Sequence, residues 1–163
     1  MKTKNLLFIV CAILMFSIHG FSYSQQTHVI ILNVNTTELN NGNTAAAFSF
    51  TASSGTPVEN ADNPESFTII VNENDNIVWE GISSSGASVE INEIEMVEDA
   101  NKPDKEKIFN KTKLKGNKEN GKNKVKAKVK DKTKGNEYKY IIRFSLGRFE
   151  FEIDPVIKVG GGN

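Results

Sequence analysis

The chain has 163 residues, with 20 Lys and Arg balancing 20 Asp and Glu, two His and one Cys. That length suits one modest domain. So few His and Cys exclude a multi-ligand zinc centre, and a nucleophilic triad has almost nothing to draw a base from.

The first 24 residues read as a secretory signal peptide. Lys2 and Lys4 give a basic start, Leu6 to Ile18 is an apolar run, and Ser22-Tyr23-Ser24 supplies small residues for cleavage before Gln25. The apolar run is shorter than the roughly 20 residues that span a bilayer, so no transmembrane segment is expected after cleavage. Cys11 lies inside that run rather than after a small residue at its end, which argues against a lipid anchor. A chain of this kind is secreted or periplasmic. Residues 25–163 are expected to form one domain without a cysteine, so its stability must come from a packed core.

In chain order, His28 to Val34 is a β-branched first strand, and Asn35 to Asn43 reads as a loop. Ala45 to Ala52 is read as a second strand, with Phe48 and Phe50 on one face; the alanines make a helix the rival reading. Phe67 to Val71 and Ile77 to Trp79 are strands joined by the Asn72 to Asn76 turn. Val89 to Val97 is a strand whose alternation breaks between Ile91 and Ile94, the signature of a bulge. Ile108 to Leu114 is read as a short strand, and Lys124 to Lys132 alternates Lys with Val, Ala and Asp. Tyr138 to Val159 is read as a hairpin folded about Leu146-Gly147, with Phe144 opposite Phe149, Ile142 opposite Phe151 and Arg143 opposite Glu150. Phe144, Phe149, Phe151 and Ile142 are then expected in one core with Trp79. The sum is an all-β fold, an antiparallel immunoglobulin-like β-sandwich of about seven or eight strands. The signal peptide and this strand pattern together resemble the small exported β-sandwich proteins of Bacteroidetes, a resemblance that carries no functional motif.

Charge is unevenly distributed along the chain. Gln25 to Asn101 holds 12 acidic residues and no Lys or Arg, whereas Lys102 to Asn163 holds 18 basic and 8 acidic residues. Such polarity permits self-association, acidic part on basic part. Lys124, Lys126, Lys128, Lys130 and Lys132 share one face of the alternating stretch. They are the candidate polyanion-binding residues, and equally a solvated edge-strand device against further pairing. Lysine without arginine or stacking aromatics speaks against specific nucleic-acid recognition.

Other chemistry is thinly represented. Phe67 to Trp79, with Asp75-Asn76-Ile77-Val78-Trp79, looks like the strand preceding the copper site of cupredoxins, but blue copper needs two His and a Cys thiolate, and only His28 and no Cys remain after cleavage. The Asn72 to Asn76 cluster offers oxygen ligands without the order of an EF-hand loop. Glu90, Glu93, Glu95, Glu98, Glu150 and Glu152 alternate with core positions, so a carboxylate-dependent hydrolase is the last-ranked function. No cofactor, metal or catalytic residue is expected. The leading expectation is an exported, non-enzymatic binding or structural module at the cell envelope, with an unidentified protein or an envelope polyanion as partner.

Overall fold

The computed structural model describes residues 24–160. Twelve strands and two short helices follow one another. β1 (Thr27–Val34) leads to α1 (Thr36–Asn40), whose first turn is capped by the Asn35 side chain. Next come α2 (Thr44–Ala47), β2 (Phe48–Ala52), β3 (Val58–Glu59), β4 (Thr68–Val71), β5 (Asn76–Ser83) and β6 (Val89–Met96). The C-terminal part supplies β7 (Lys113–Lys115), β8 (Asn117–Glu119), β9 (Lys122–Lys128), β10 (Glu137–Leu146), β11 (Phe149–Ile153) and β12 (Val156–Val159). Asn35 to Asn43 is therefore not a plain loop, and Ala45 to Ala47 is helical: three alanines favour a helical turn until β-prone Phe48.

The strands form two sheets, ordered β2-β1-β5-β9-β8 and β3-β4-β12-β10-β6-β7, with β11 also on β10. Their inner faces share one core containing Leu32, Trp79 and Val125 from the first sheet and Ile69, Ile94, Tyr140 and Phe144 from the second. Both sheets are mixed. β1 runs parallel to β5, and β4 runs parallel to β12, so the expected all-antiparallel sandwich of seven or eight strands is corrected in pairing and in number. Sequence alternation identifies strands but says nothing about which distant strand becomes the neighbour.

β10 is the spine of the second sheet. One edge carries β6; the other carries β11 on its C-terminal half and β12 on its N-terminal half. Phe144 faces Phe151, Arg143 faces Glu152 and Tyr138 faces Ile157. The expected hairpin exists, but its register is displaced by two residues. The chain reverses over Gly147-Arg148 alone, with Gly147 at φ +60°, and Leu146 pairs with Phe149. A two-residue displacement keeps every side chain on its face, so the core assignment survives for Ile142 and Phe144. It does not survive for Phe149, which sits at the tip, 56% exposed, beneath the Arg148 guanidinium. Phe151 is half-buried, stacked on Phe144.

The bulge expected between Ile91 and Ile94 is present. The β6–β10 register shifts by one at Asn92, which lets both isoleucines face the core. The carbonyl freed at Asn92 accepts the Gly116 N–H at 2.8 Å. A side chain at Gly116 would place its Cβ 2.1 Å from the Ile91 carbonyl oxygen, so only glycine fits there.

Trp79 is fully buried and donates its indole N–H to the Tyr140 hydroxyl across the core at 3.1 Å. Phe109, from the β6–β7 connection, packs edge-on against Trp79. Burial pushes the Tyr140 phenol well above its ordinary pKa. We expect Phe144→Ala to cost about 3–5 kcal/mol, as buried aromatics do. Phe149→Ala should cost under about 1 kcal/mol, as exposed positions do. Urea unfolding of both variants checks the assignment, and equal losses would contradict it.

Candidate functional site

The most apolar cleft among those described lies beneath the long connection from β6 to β7. Its volume is about 450 Å³. Residues 97–112 leave the sheet because Pro103 and a dense run of charges cannot continue a strand. They return because Ile108 and Phe109 are buried in the core. The Lys130 N–H is bound to the Ile108 carbonyl and the Met96 N–H to the Thr112 carbonyl. Met96, Val97, Ile108, Phe109 and Tyr138 supply apolar lining. Tyr138 donates its hydroxyl to the Glu106 carbonyl at 2.7 Å, and Lys105 lies over its ring while bonding Asp99 and the Glu137 carbonyl. Lys102, Lys107 and Lys111 also line the cleft, and none of the three makes an ion pair among the described residues. Glu98, Asp99 and Glu106 line it as well, so the site is an apolar floor with lysines and carboxylates around it. The short strand expected over Ile108 to Leu114 is instead a connection that reaches a strand only at Lys113, because Ile108 and Phe109 turn into the core; that apolar pair inside a lysine-rich run is the visible signal in the sequence.

The five candidate lysines are not one free ridge. β9 ends at Lys128, and the chain then turns, with Lys132 at φ +63°. Lys124, Lys126 and Lys130 pair with Glu80, Glu119 and Glu106 respectively. Lys128 and Lys132 are exposed and make no ion pair among the described residues. β5 pairs with Val125–Lys128 and β8 with Lys122–Lys124, so no residue of β9 is paired on both sides and its lysines can also discourage further pairing. Glu73 holds the following turn by accepting the N–H groups of Thr133 and Lys134.

The carboxylates do converge, but on a cation. Arg143 binds Glu93, Glu95 and Glu152, and Lys113 binds Glu95 from the other side. Hydrogen bonds from Lys113 and then Arg143 hold the Glu95 carboxyl below its ordinary range, the opposite of what a general acid needs. Glu90 is also held low, first by Ser88 and, against some desolvation, by the Asn123 N–H.

His28 is not alone at a strand end, as its position in the sequence suggests. It is buried, with Nε2 3.0 Å from Asp75 Oδ2 and Nδ1 2.9 Å from Thr56 Oγ1. Thr56 in turn meets the Ser53 hydroxyl at 3.1 Å, and Ser53 accepts the Val29 N–H. Asp75 also accepts the N–H groups of Gln26 and Asn72. The acid–imidazole–hydroxyl chain is internal, and it ties β1, the turn before β5 and the loop after β2 together. Asp75 is therefore consumed by protein donors rather than offered to calcium. Among the described residues no group of three or more His, Cys, Asp or Glu is placed to hold a metal.

No helix among the described residues is long and apolar enough to cross a membrane. The proposed signal peptide lies almost wholly outside the described residues. No protein-family model matches the chain. No curated protein matches it either. A solved structure does: the inclusion body protein PixA from Burkholderia cenocepacia is similar over 86% of this chain and 99% of its own, with TM-score 0.59 and 10% identity. At that identity the likeness is one of fold.

Burial by itself would raise the Asp75 carboxyl, but hydrogen bonds from Gln26, His28 and Asn72 outweigh it and leave the group below its ordinary value. A carboxyl depressed in the folded state stabilises fully above its unfolded value, here the ordinary 3.8. That contribution fades as pH falls below 3.8 toward the folded value. Asp75→Ala leaves several buried donors without a partner and should cost about 3 kcal/mol at neutral pH. Urea unfolding of wild type and variant at several pH values should show the gap narrowing in acid; a constant gap would contradict this.

Proposed function

We propose that this protein is an exported, non-enzymatic β-sandwich, a binding or structural module of the cell envelope whose binding site is the cleft under the β6–β7 connection. Export rests on the basic start, short apolar run and Ser-x-Ser junction of residues 1–24. An immunoglobulin-like use of the sandwich, with loops at one end serving as the contact surface, is consistent with a site formed by a long connection. The fold likeness to an inclusion body protein is compatible with a structural role.

The observation that carries the reading is the apolar lining of this cleft beside lysines that make no ion pair among the described residues. Elsewhere some lysines are matched to carboxylates, as in Lys124–Glu80, Lys113–Glu95 and Lys158–Glu59, while Lys115, Lys118, Lys122, Lys128, Lys132 and Lys134 make no ion pair among the described residues and lie away from this apolar lining. At the cleft, apolar side chains lie beside Lys102, Lys107 and Lys111. That combination fits an amphiphile with an apolar body and an anionic end, for which burial of the body supplies affinity and the lysines supply orientation. The polyanion reading is less well supported, because binding along Lys124, Lys126 and Lys130 would first break three ion pairs.

The test is displacement of a fluorescent fatty-acid analogue from purified protein. We expect saturable binding that Lys107→Glu/Lys111→Glu weakens at least about tenfold, the equivalent of roughly 1.4 kcal/mol. Lys126→Gln/Lys128→Gln should bind as wild type does. Binding unaffected by the first pair, or retention on heparin that depends on the second, would replace this reading with the polyanion one. Export is checked separately by intact mass from expressing cells, with Gln25 expected at the N-terminus and Met1 contradicting it.

A further inference from the structure

The strands at the margins of the two sheets differ in one respect. β3, β7, β8 and β11 each carry Lys or Glu, which discourages pairing with another chain. β2 (Phe48–Ala52, FSFTA) carries neither, and no charged residue lies between Glu38 and Glu59. β2 is the terminal strand of its sheet, paired on one side only, with β1.

Its free side can be worked out from the ladder. Asn35 donates to the Ala47 carbonyl and Ser53 donates to the Val29 carbonyl. In an antiparallel pair bonded residues alternate, so residues 47, 49, 51 and 53 turn their backbone groups toward β1. The N–H and C=O of Phe50 and Ala52, and the C=O of Phe48, then point away from it. Phe50 is buried against Phe67, and Phe48 packs on Phe144 and Phe151, so the bulky side chains are already committed to the core. Ser49 and Thr51 are exposed on the opposite face.

We propose that β2 is a self-association edge: two copies of this chain pair β2 with β2 antiparallel about a two-fold axis through Phe50. This register places Phe50 opposite Phe50 of the partner subunit and Phe48 opposite Ala52 of the partner subunit. Phe50 exchanges two hydrogen bonds with its mate, and each Ala52 N–H reaches a Phe48 carbonyl, making four. Ser49 meets the partner's Thr51 in the closer, non-bonded pairs, where two small hydroxyl side chains fit. The two five-stranded sheets become one continuous sheet. A second copy is the occupant because the edge is self-complementary and uncharged. β7 (KLK) would put Lys113 and Lys115 beside their own copies, which is unfavourable. This mode differs from docking of the acidic on the basic part of the chain, since it uses neither.

Sedimentation equilibrium of purified protein over a concentration series tests the proposal. A concentration-dependent mass of two chains is expected. Ser49→Lys/Thr51→Lys sets four like charges face to face across the new edge, so it should give a monomer at every concentration that still unfolds cooperatively. In a Cys11→Ser background, Ser49→Cys/Thr51→Cys should oxidise to a disulfide-linked dimer. A wild type that stays monomeric throughout, a lysine variant that still dimerises, or a dimer whose introduced cysteines do not cross-link would each overturn it. None of these outcomes bears on amphiphile binding, so this inference and the cleft reading fail independently.

Discussion

The structure depends on bringing two oppositely charged stretches of one chain into alternation. Like charges directly opposite each other in a sheet are unfavourable, and opposite ones favourable. The acidic strands come from the first part and the basic strands from the second, so sequential neighbours alone cannot satisfy this. The fold meets the constraint through long-range pairing. Acidic β6 lies between β7, with Lys113 and Lys115, and β10, with Arg143. β5, with Glu80, lies beside lysine-rich β9. Lys158 on β12 reaches Glu59 on β3. Individual pairs at such exposure contribute little to stability. Their collective effect is on specificity: setting β9 against β10 would bring lysines beside Lys139 and Arg143, and setting β5 against β6 would bring Glu80 beside further glutamates.

This alternation also accounts for the functional landscape. A segment count of 12 acidic residues without a cation, followed by a strongly basic remainder, describes a dipolar chain. Folding pairs part of that charge at short range, and Lys124 and Lys126 of β9 become partners of Glu80 and Glu119. Lys102, Lys107 and Lys111 surround the apolar cleft beneath the β6–β7 connection. β2 is the opposite exception, a margin with no charge at all.

The second constraint is internal. The Trp79–Tyr140 hydrogen bond links the two sheets through the middle of the core, with Phe109 packed on the indole. A buried indole N–H without an acceptor is costly, so this bond fixes β5 against β10 and, through Phe109, brings the β6–β7 connection over the same point. The cleft is therefore positioned by core residues and not by its own loop. The Asp75–His28–Thr56 chain has the same role at the start of the domain, where it fastens β1 to the turn before β5.

Much of the local structure was legible in the sequence. A β-branched run located β1, the Asn72 to Asn76 turn located β4 and β5, period-two alternation located β6, β10 and β11, and the irregular spacing of Ile91 and Ile94 announced the bulge at Asn92. The hairpin was visible in Tyr138 to Val159, but its register was not. Displacement by two residues leaves every side chain on the same face, and the choice was made by Gly147, whose positive φ permits a two-residue turn. Composition alone determined that the domain relies on a core without disulfides and that its charge is segregated along the chain. Only the tertiary structure decided which strands lie parallel, that His28 is buried against Asp75, and that Phe109 leaves a lysine-rich loop to enter the core. Those outcomes depend on contacts between residues tens of positions apart, and local periodicity carries no record of the partner. The lysine stretch shows the limit most directly. Alternation fixed which face the lysines share, and only the placement of β5 and β8 beside β9 determined that Lys124 and Lys126 on it are paired with glutamates.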